Sequence, residues 1–289
     1  MNKRVAVLGG RTGLLGVPLT KAFTSAGFET RPLGRADFDV TDPIALGAFL
    51  DEFQPAWLVN AVAYTAVDKA EDEPAEAARL NRGLPMMLGK VCAARGVGVF
   101  HYSTDFVFDG RKTTPYQEDD PTGPSSVYGQ TKLDGEKALQ AAGLERLIIA
   151  RVAWLFGPGK KNFVRTMLTL AQDRDELRVV HDQIGSPSFT PDLAAYSVAL
   201  VKSGHTGVFH LANAGRASWC ELASEAINAA GLRCHVQPIT TPEYPTRAKR
   251  PAYSVLDTFK FSQATGVAPR PWLQALREYV YSETDPGTE

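Results

Sequence analysis

Residues 3–16 read KRVAVLGGRTGLLG, and this stretch decides the fold. An apolar run rich in β-branched residues, suited to a strand buried on both faces, ends at a turn that carries Gly10, Gly13 and Gly16. An amphipathic helix follows to about Ala26. Glycines let the backbone turn tightly and approach a pyrophosphate, whose charge then lies at the N-terminus of the helix. The spacing predicts a dinucleotide site in a Rossmann-type fold, and the alternative is a tight strand–helix turn that binds no ligand.

Four more apolar runs, at residues 28–33, 57–63, 97–102 and 147–152, alternate with helical segments. This alternation implies parallel βαβ units in an α/β fold, with helices on both faces of a doubly wound sheet. After Pro158 the chain has fewer strands and more loops. We therefore expect a Rossmann domain that binds NAD(P) over residues 1–157, with returns from later segments, and a smaller mixed α/β substrate-binding lobe over residues 158–289.

The composition argues against several classes of partner. The chain has 289 residues and a net charge of −1, with 44% hydrophobic and 22% charged residues, which is ordinary for a soluble enzyme. This charge gives no electrostatic basis for binding nucleic acid or an anionic membrane, and no apolar segment reaches the ~20 residues of a membrane span. The N-terminal apolar run is too short for a signal peptide. The three cysteines show no ligand spacing, which predicts free thiols and a cytoplasmic location.

The end of the second strand bears on the choice of cofactor. In NAD-specific folds an acidic residue near this point holds the adenosine ribose. Here the strand ends at Leu33 and Arg35 follows, and a guanidinium suits a 2′-phosphate, which Arg11 of the glycine turn could also contact. We therefore expect NADPH, with NADH tolerated, and place Asp39 and Val40 beside the adenine. The alternative is that Arg35 simply faces solvent.

Two pairs of polar residues carry the predicted chemistry. Tyr128 and Lys132 are one turn apart on a helix, and an ammonium beside a phenol stabilises its anion, so we expect the pKa of Tyr128 to be lowered. Such a pair alone is common on solvated helix faces. Ser103 and Thr104 follow the strand at 97–102, and open α/β sheets bind ligands at the carboxyl ends of their strands. The alternative for the second pair is that it caps a turn.

The glycine spacing, Ser103 with Thr104, and the Tyr128–Lys132 pair together resemble the extended branch of the short-chain dehydrogenase/reductase superfamily. Residues 60–71, 101–110, 127–136 and 182–187 are similar to the dTDP-4-dehydrorhamnose reductase family in particular, and STDFVF at 103–108 is the most specific part. The resemblance spans nearly the whole chain. It implies reduction of the C4 ketone of dTDP-4-dehydro-6-deoxy-L-mannose by NAD(P)H to give dTDP-L-rhamnose.

The resemblance also implies roles for individual residues. Tyr128 would protonate the C4 alkoxide, Lys132 would lower the pKa of that tyrosine and hold the nicotinamide ribose, and Thr104 would hydrogen-bond the substrate carbonyl. The residues expected to bind the cofactor are Gly10, Arg11, Thr12, Gly13, Leu14, Leu15, Arg35, Asp39, Val40, Ala61, Val62, Ala63, Tyr64, Ser103, Tyr128 and Lys132. Those expected to bind the substrate are Thr104, Asp105, Phe106, Val107, Tyr128, Trp154, Asn162 and Arg250.

One segment departs from the family pattern. Some members carry a glutamate soon after the last glycine of the turn and use it in a magnesium-bridged dimer, whereas this chain has Val17 and Pro18 there. We therefore expect no metal. A homodimer is left open, and the expected partner is a sugar nucleotide.

Three other functions stay open on the same fold: a different sugar-nucleotide 4-ketoreductase, an epimerase or dehydratase, and a non-catalytic regulatory subunit. A dehydratase would be expected to have an Asp-Glu pair after the threonine, whereas Asp105 and Phe106 follow Thr104 here. A regulatory subunit is favoured by loss of the tyrosine or the lysine, and both are present.

Overall fold

The computed structural model describes residues 3–284. Its strands are β1 (Arg4–Leu8), β2 (Glu29–Leu33), β3 (Trp57–Asn60), β4 (Gly98–Thr104), β5 (Leu147–Val152), β6 (Leu155–Phe156), β7 (Glu176–Val180), β8 (Ile184–Gly185), β9 (Ser188–Phe189), β10 (Gly207–His210), β11 (Ala217–Ser218) and β12 (His235–Ile239). Its α-helices are α1 (Gly16–Ser25), α2 (Pro43–Phe53), α3 (Val67–Asp72), α4 (Pro74–Ala78), α5 (Leu84–Ala93), α6 (Val127–Gln140), α7 (Phe163–Gln172), α8 (Thr190–Ser203), α9 (Trp219–Ala229), α10 (Phe259–Thr265) and α11 (Trp272–Thr284).

Six strands form the central sheet in the order β2–β1–β3–β4–β5–β10, and every neighbouring pair is parallel. The chain runs outward from β1 to β2 and then crosses to β3 on the other side of β1. This reversal is a topological switch point, where open parallel sheets bind ligands beyond the carboxyl ends of the strands. The predicted doubly wound parallel sheet is confirmed.

Both faces of the sheet are covered by helices. Alternate residues of β1 enter opposite cores: Val5 and Val7 pack with α1, α8 and α10, whereas Ala6 and Leu8 pack with α2, α5 and α6. A strand buried on both faces must be apolar at every position, which explains the continuous apolar run in the sequence.

The second half of the chain contributes to both parts of the molecule. Strand β10 pairs with β5 at the edge of the sheet. Helices α8 and α10 pack on the face of the sheet that carries Val5 and Val7. Helices α7, α9 and α11 surround a separate apolar core that includes Leu222, Leu276 and Tyr279. We propose that residues 1–157 with these returning segments form the cofactor domain, and that the remainder of 158–289 forms the substrate lobe.

The helical segment between β3 and β4 is interrupted. A π-helical turn, Arg79–Gly83, separates α4 from α5. Pro85 lacks an N–H and its ring would clash with the carbonyl of Asn81 in a regular helix, so the turn widens. The carbonyl of Asn81 instead faces α6 closely: a Cβ built on Gly135 would lie 2.1 Å from it. Among residues 3–284, each helix is too short or too polar to span a bilayer.

Candidate active site

Thr104 is the last residue of β4 and begins the site. It caps the 3₁₀ turn Asp105–Val107, because its Oγ1 accepts a hydrogen bond from the Phe106 N–H at 3.2 Å. The same hydroxyl donates to Oδ1 of Asp105 at 3.0 Å. Thr104 therefore caps a turn, as the alternative interpretation predicted. It also lies at the carboxyl ends of the strands, where open parallel sheets bind ligands.

The carboxyl group of Asp105 lies beneath this turn. Its Oδ2 accepts a hydrogen bond from Oγ of Ser254 at 2.6 Å, and the residue is 2% exposed. Burial raises the pKa of Asp105 to about 6, although the hydrogen bonds from Ser254 and Thr104 oppose that rise. The prediction that Asp105 lines the sugar pocket is corrected, because this carboxyl group holds Thr104 and the C-terminal segment.

Val107 also differs from its predicted role. Its side chain has no accessible surface and packs in an apolar cluster with Phe108, Tyr116 and Leu133. A side chain without accessible surface does not line an open sugar pocket, and this expectation is corrected too. Phe106, in contrast, is only partly buried and its ring lies against Tyr128, with centroids 5.6 Å apart and planes at 76°.

The start of α6 places Tyr128 next to Thr104. Ser126 caps the helix by accepting from the Gly129 N–H at 3.1 Å, and Glu71 of α3 accepts from the Val127 N–H at 2.8 Å. A Cβ on Gly129 would lie 2.3 Å from the carbonyl oxygen of Phe106, so the helix presses on the turn after β4. This contact requires glycine.

The pKa of Tyr128 is raised to about 12 and not lowered. Burial is the main cause, the nearby Asp105 adds to the rise, and a hydrogen bond with Thr104 opposes it. The prediction of a lowered pKa is wrong in this structure. Helical spacing put the lysine on the same face, but the lysine amine makes its hydrogen bonds elsewhere.

Lys132 is 2% exposed and its Nζ donates to the carbonyl oxygen of Tyr102 at 2.5 Å. The same nitrogen lies 3.4 Å from Nε2 of His101, whose Nδ1 is 3.0 Å from the amide nitrogen of Asn60. Burial lowers the pKa of Lys132 to about 8, and the charge of Glu136 opposes that shift. Burial and the charge of Lys132 hold the pKa of His101 well below its usual range.

The glycine turn lies at the switch point, after β1. The Gly13 N–H donates to the Gly9 carbonyl at 2.9 Å, and a Cβ on Gly16 would lie 2.1 Å from that carbonyl oxygen. Helix α1 begins at Gly16, and Leu15 at its N-cap provides no side-chain hydrogen bond. N–H groups at such a terminus favour an anion, so the turn fits the pyrophosphate of a dinucleotide. The side chain of Leu15 itself packs in the core.

The buried hydroxyl of Ser103 is a second feature that fits a cofactor. It lies at the carboxyl end of β4 and has no hydrogen-bond partner within the part of the chain that the structure describes. Buried hydroxyls are normally paired, and an unpaired one at a strand end is a site for a ligand group.

Two cations lie near the predicted adenosine end. Arg11 is paired with Asp37, with Nε–Oδ2 and Nη2–Oδ1 distances of 2.6 and 2.5 Å, and its side chain stays 47% exposed. The guanidinium of Arg11 lowers the pKa of Asp37. Arg35 is exposed. Asp39 accepts from the N–H and hydroxyl of Thr41 and lies in a turn.

The loop after β3 lies against the glycine turn. A Cβ on Gly9 would be 3.4 Å from the Ala61 carbonyl oxygen and from the Val62 side chain. Asn81 fixes the far end of this loop, because its amide accepts from the Tyr64 N–H at 2.9 Å and donates to the Tyr64 carbonyl at 3.1 Å. The loop predicted to contact the cofactor, including Ala63, thus lies beside the predicted pyrophosphate site.

Trp154 has a backbone conformation that is rare for a large residue, with φ of +48°. Its indole stacks on Trp219 of α9, with ring centroids 3.5 Å apart and planes at 5°. Strained residues persist only where the surroundings hold them, and they concentrate at functional sites. The stack positions Trp154 between the two halves of the molecule.

Asn162 and Arg250 are both engaged within the protein. The amide nitrogen of Asn162 donates to the carbonyls of Gly157 and Lys160 and to the Tyr279 hydroxyl, and its oxygen caps α7. The amide of Asn162 is therefore used within the protein, and its contact with the substrate stays a prediction. Arg250 donates to Asp68 of α3 at 2.8 Å and keeps part of its side chain exposed.

Several residues of the site escaped prediction from sequence. They are Asn60, Asp68, Asn81, His101, Trp219 and Ser254. A polar residue within a helical segment was an available signal for Asn81, whereas Ser254 has no signal in its local sequence. Within residues 3–284, no group of three or more His, Cys, Asp or Glu is arranged to hold a metal ion.

The sequence matches the family described as RmlD substrate binding domain over residues 3–284. A dTDP-4-dehydrorhamnose reductase from Streptomyces griseus is 41% identical over 276 residues, covering 93% of this chain and 90% of the relative. A Streptomyces antibioticus protein, named a probable dTDP-4,6-dihydroxy-2-methyloxan-3-one 4-ketoreductase, is 42% identical over 273 residues, covering 93% and 92%.

A solved structure has the same fold. The dTDP-4-dehydrorhamnose reductase from Bacillus anthracis strain Ames, in complex with NADP, matches with a TM-score of 0.93 at 29% identity, covering 98% of this chain and 100% of that one. The match over the whole described sequence and the shared fold show that this chain belongs to the RmlD substrate binding domain family, together with the dTDP-4-dehydrorhamnose reductases that it resembles.

Proposed function

We propose that this protein is an NADPH-dependent oxidoreductase that reduces the C4 ketone of dTDP-4-dehydro-6-deoxy-L-mannose to give dTDP-L-rhamnose. One observation carries the proposal: Thr104, Tyr128 and Lys132 converge at the carboxyl end of β4, in the sheet whose switch point bears the glycine turn. The names of the curated relatives support the substrate, and the NADP in the Bacillus anthracis structure supports the cofactor.

The glycine turn and the N-terminus of α1 would hold the pyrophosphate, and the loop from Ala61 to Tyr64 would contact the adjoining part of the cofactor. Ser103 would use its unpaired hydroxyl near the nicotinamide. Arg35 is the exposed cation proposed for a 2′-phosphate, whereas Arg11 is paired with Asp37. When bound, NADPH would supply the hydride.

Tyr128 provides the proton. Its raised pKa keeps the phenol protonated at neutral pH, so a proton is in place for the C4 oxygen as negative charge develops there. The reduction needs one hydride and one proton, and donation leaves Tyr128 as the phenolate. Thr104 shares a hydrogen bond with the phenol and orients it. Lys132 lies one turn away and, as the ammonium, would stabilise the phenolate.

Phe106, Trp154 and Arg250 are the residues proposed to bind the substrate. The two aromatic side chains are partly buried, which suits packing against a hexose. Arg250 pairs with Asp68 of α3 and stays partly exposed, and a guanidinium suits a diphosphate.

A second candidate is reduction of a different dTDP-4-keto sugar. The Streptomyces antibioticus relative, which is as similar as the rhamnose enzymes, carries the name of such a 4-ketoreductase. The two candidates share the fold, the cofactor and the acid, and they differ only in the sugar that Trp154 and its neighbours accept.

The test follows NADPH and NADH oxidation with purified protein and dTDP-4-keto-6-deoxyglucose, with and without the 3,5-epimerase that yields the L-sugar. We expect oxidation that requires the epimerase, with dTDP-L-rhamnose as the product. NADPH oxidation with the unepimerised sugar would favour the second candidate. Binding of NADPH without reduction of either sugar would contradict the proposal and favour the regulatory subunit.

We further infer from the three free cysteines that the protein works in the cytoplasm, and from its charge that its partner is a small sugar nucleotide and not nucleic acid or a membrane.

We propose that the protein assembles as a homodimer without metal. Sedimentation with and without a chelator measures this. Dissociation by the chelator would contradict it.

A further inference from the structure

Beneath Lys132 lie two polar residues that the reaction proposed above does not use. Asn60 ends β3 and His101 is on the adjacent strand β4, and these two and Lys132 are each no more than 2% exposed. Buried polar groups are costly unless they are paired, so their hydrogen bonds define their orientation.

The hydrogen bonds fix both the amide and the imidazole. The Val62 N–H can only donate, and its acceptor at 3.0 Å is Oδ1 of Asn60. The amide nitrogen of Asn60 therefore faces Nδ1 of His101 at 3.0 Å. Because an amide nitrogen only donates, Nδ1 accepts and carries no hydrogen, and a neutral ring must carry its hydrogen on Nε2.

This hydrogen meets the lysine amine. His101 Nε2 is 3.4 Å from Nζ of Lys132, which also donates to the Tyr102 carbonyl at 2.5 Å. A free amine has a lone pair that accepts from Nε2–H, whereas an ammonium has none and would set donor against donor. We propose that Asn60 and His101 are positioning residues for Lys132: Asn60 fixes the ring of His101 as the Nε2–H tautomer, and that N–H disfavours the ammonium form of Lys132.

Other titratable and charged groups lie around Lys132. Its own helix supplies Tyr128 and Glu136, whose charge favours the ammonium, and Glu136 is paired with Arg151 of β5 at 2.9 Å. The turn after β4 supplies Asp105, whose charge acts on Tyr128. Glu71 of α3 is used at the helix N-terminus, and four further charged residues line a groove on the outer side of α5 and α6, namely Arg82, Lys90, Asp134 and Lys137. The pKa of His101, held well below its usual range by burial, agrees with a neutral imidazole, and burial lowers the pKa of Lys132 to about 8.

The consequence is a catalytic lysine whose charge changes near neutral pH. With a pKa of about 8, the ammonium is present below that pH and is lost as the pH rises through it. The effect of this charge on turnover rests on the proposed function, because only then does the ammonium stabilise the phenolate of Tyr128. The tautomer of His101 does not rest on it.

The first experiment measures the tautomer directly by two-bond ¹⁵N–¹H correlation of the histidine rings in the purified protein without substrate. We expect His101 as Nε2–H from pH 6 to 9. His210 is an internal control, because it is equally buried and its Nδ1 faces the Asp257 carbonyl at 3.1 Å, which requires the opposite tautomer. Finding His101 as Nδ1–H or as the imidazolium at neutral pH would overturn the proposal.

The second experiment reverses the tautomer with Asn60→Asp. A carboxylate still accepts from the Val62 N–H, but it requires Nδ1–H on His101, so Nε2 becomes an acceptor for the ammonium. We expect the alkaline limb of the kcat/KM profile to move up by about one pH unit. His210→Gln is the control for a buried histidine with a structural role, and it should lower thermal stability without moving the limb.

An unmoved alkaline limb in Asn60→Asp, with the tautomer reversed, would overturn the link between His101 and the charge of Lys132. If none of the keto sugars tested supports NADPH oxidation, the proposed function fails. The NMR experiment still tests the tautomer of His101 in that case. If Asn60→Asp does not fold, the tautomer in the unaltered protein decides.

Discussion

At the scale of single residues, the proposed proton donor is Tyr128, and its neighbours influence how readily it gives up its proton. Burial raises its pKa to about 12, so in the proposed reaction the phenol holds its proton until the C4 oxygen becomes basic. A hydrogen bond with Thr104 opposes that rise in pKa, and Lys132 on the next turn of α6 adds a charge that depends on pH. In the proposed reaction Tyr128 donates the proton, and Lys132 as the ammonium stabilises the phenolate that remains.

We predict that Tyr128→Phe lowers kcat by about 10²–10⁴-fold, because it removes general acid catalysis and keeps the packing of the ring. NADPH affinity, measured by fluorescence titration, should stay within a few fold. Tyr253→Phe is the matched control: its buried hydroxyl has no hydrogen-bond partner within residues 3–284, so turnover should not change. Equal rates for Tyr128→Phe and the unaltered protein would contradict the mechanism.

A second prediction concerns Asp105. Its pKa of about 6 in the folded protein lies above its ordinary value, so the folded state binds more protons than the unfolded state between those two values. This contribution to stability is complete below about pH 4 and is lost as the pH rises through about 6. Asp105→Asn removes the buried charge, and we expect it to be more stable than the unaltered protein at pH 7.5 by roughly 1–3 kcal/mol.

The measurement is urea unfolding of both proteins at pH 4.5 and at pH 7.5. The difference in the free energy of unfolding should grow with pH, since only the unaltered protein ionises a buried carboxyl group there. A difference that is the same at both pH values would show that Asp105 does not titrate in this range.

At the scale of elements, α6 is held between two backbones. Near its start, Gly129 contacts the turn after β4. Farther along the helix, Gly135 contacts the π-helical turn. Both glycines have helical conformations, so they are required for close approach and not for flexibility. Through these two contacts the helix that carries Tyr128 and Lys132 is fixed to the turn that carries Thr104.

We predict that Gly135→Ala destabilises the protein by about 1–3 kcal/mol or more. Its Cβ would lie 2.1 Å from the backbone oxygen of Asn81, and relieving this clash requires one of the two backbones to move. Gly83→Ala is the matched control in the neighbouring π-helical turn. A Cβ there has no atom closer than 3.8 Å, and stability should be unchanged or slightly higher. Thermal unfolding of the two variants makes the comparison, and equal loss in both would contradict the close contact.

At the scale of the whole molecule, residues 247–254 contact α3 and the carboxyl end of β4, and so join the proposed substrate lobe to the proposed cofactor domain. Arg247 pairs with Asp72, Arg250 pairs with Asp68, and Ser254 donates to Asp105 beneath the catalytic turn. One short segment therefore contacts both α3 and the carboxyl end of β4. We name it the joining segment.

We predict that Arg250→Ala raises KM for the sugar nucleotide with little change in kcat, because it removes binding that substrate and transition state share. Arg247→Ala is the control from the same joining segment, whose exposed ion pair contributes little. Steady-state kinetics at fixed NADPH separates the two constants. A fall in kcat for Arg250→Ala without a change in KM would contradict the assignment.

The sequence by itself determined the features that depend on neighbouring residues. Apolar runs separated by helices predicted the parallel sheet, and the glycine spacing predicted the turn after β1. Helical periodicity also put Tyr128 and Lys132 on one face.

Only the tertiary structure decided the pKa values of those groups and the partners that their side chains contact. Asp105 and Ser254 are 149 positions apart, and Asn60 and His101 are 41 apart, so no local pattern relates them. The pKa of Tyr128 was predicted with the wrong sign because spacing along a helix says nothing about burial, and burial outweighs a neighbouring charge here. The partners of Arg11 and Asn162 within the protein, Asp37 and Tyr279, are brought to them only when the chain folds.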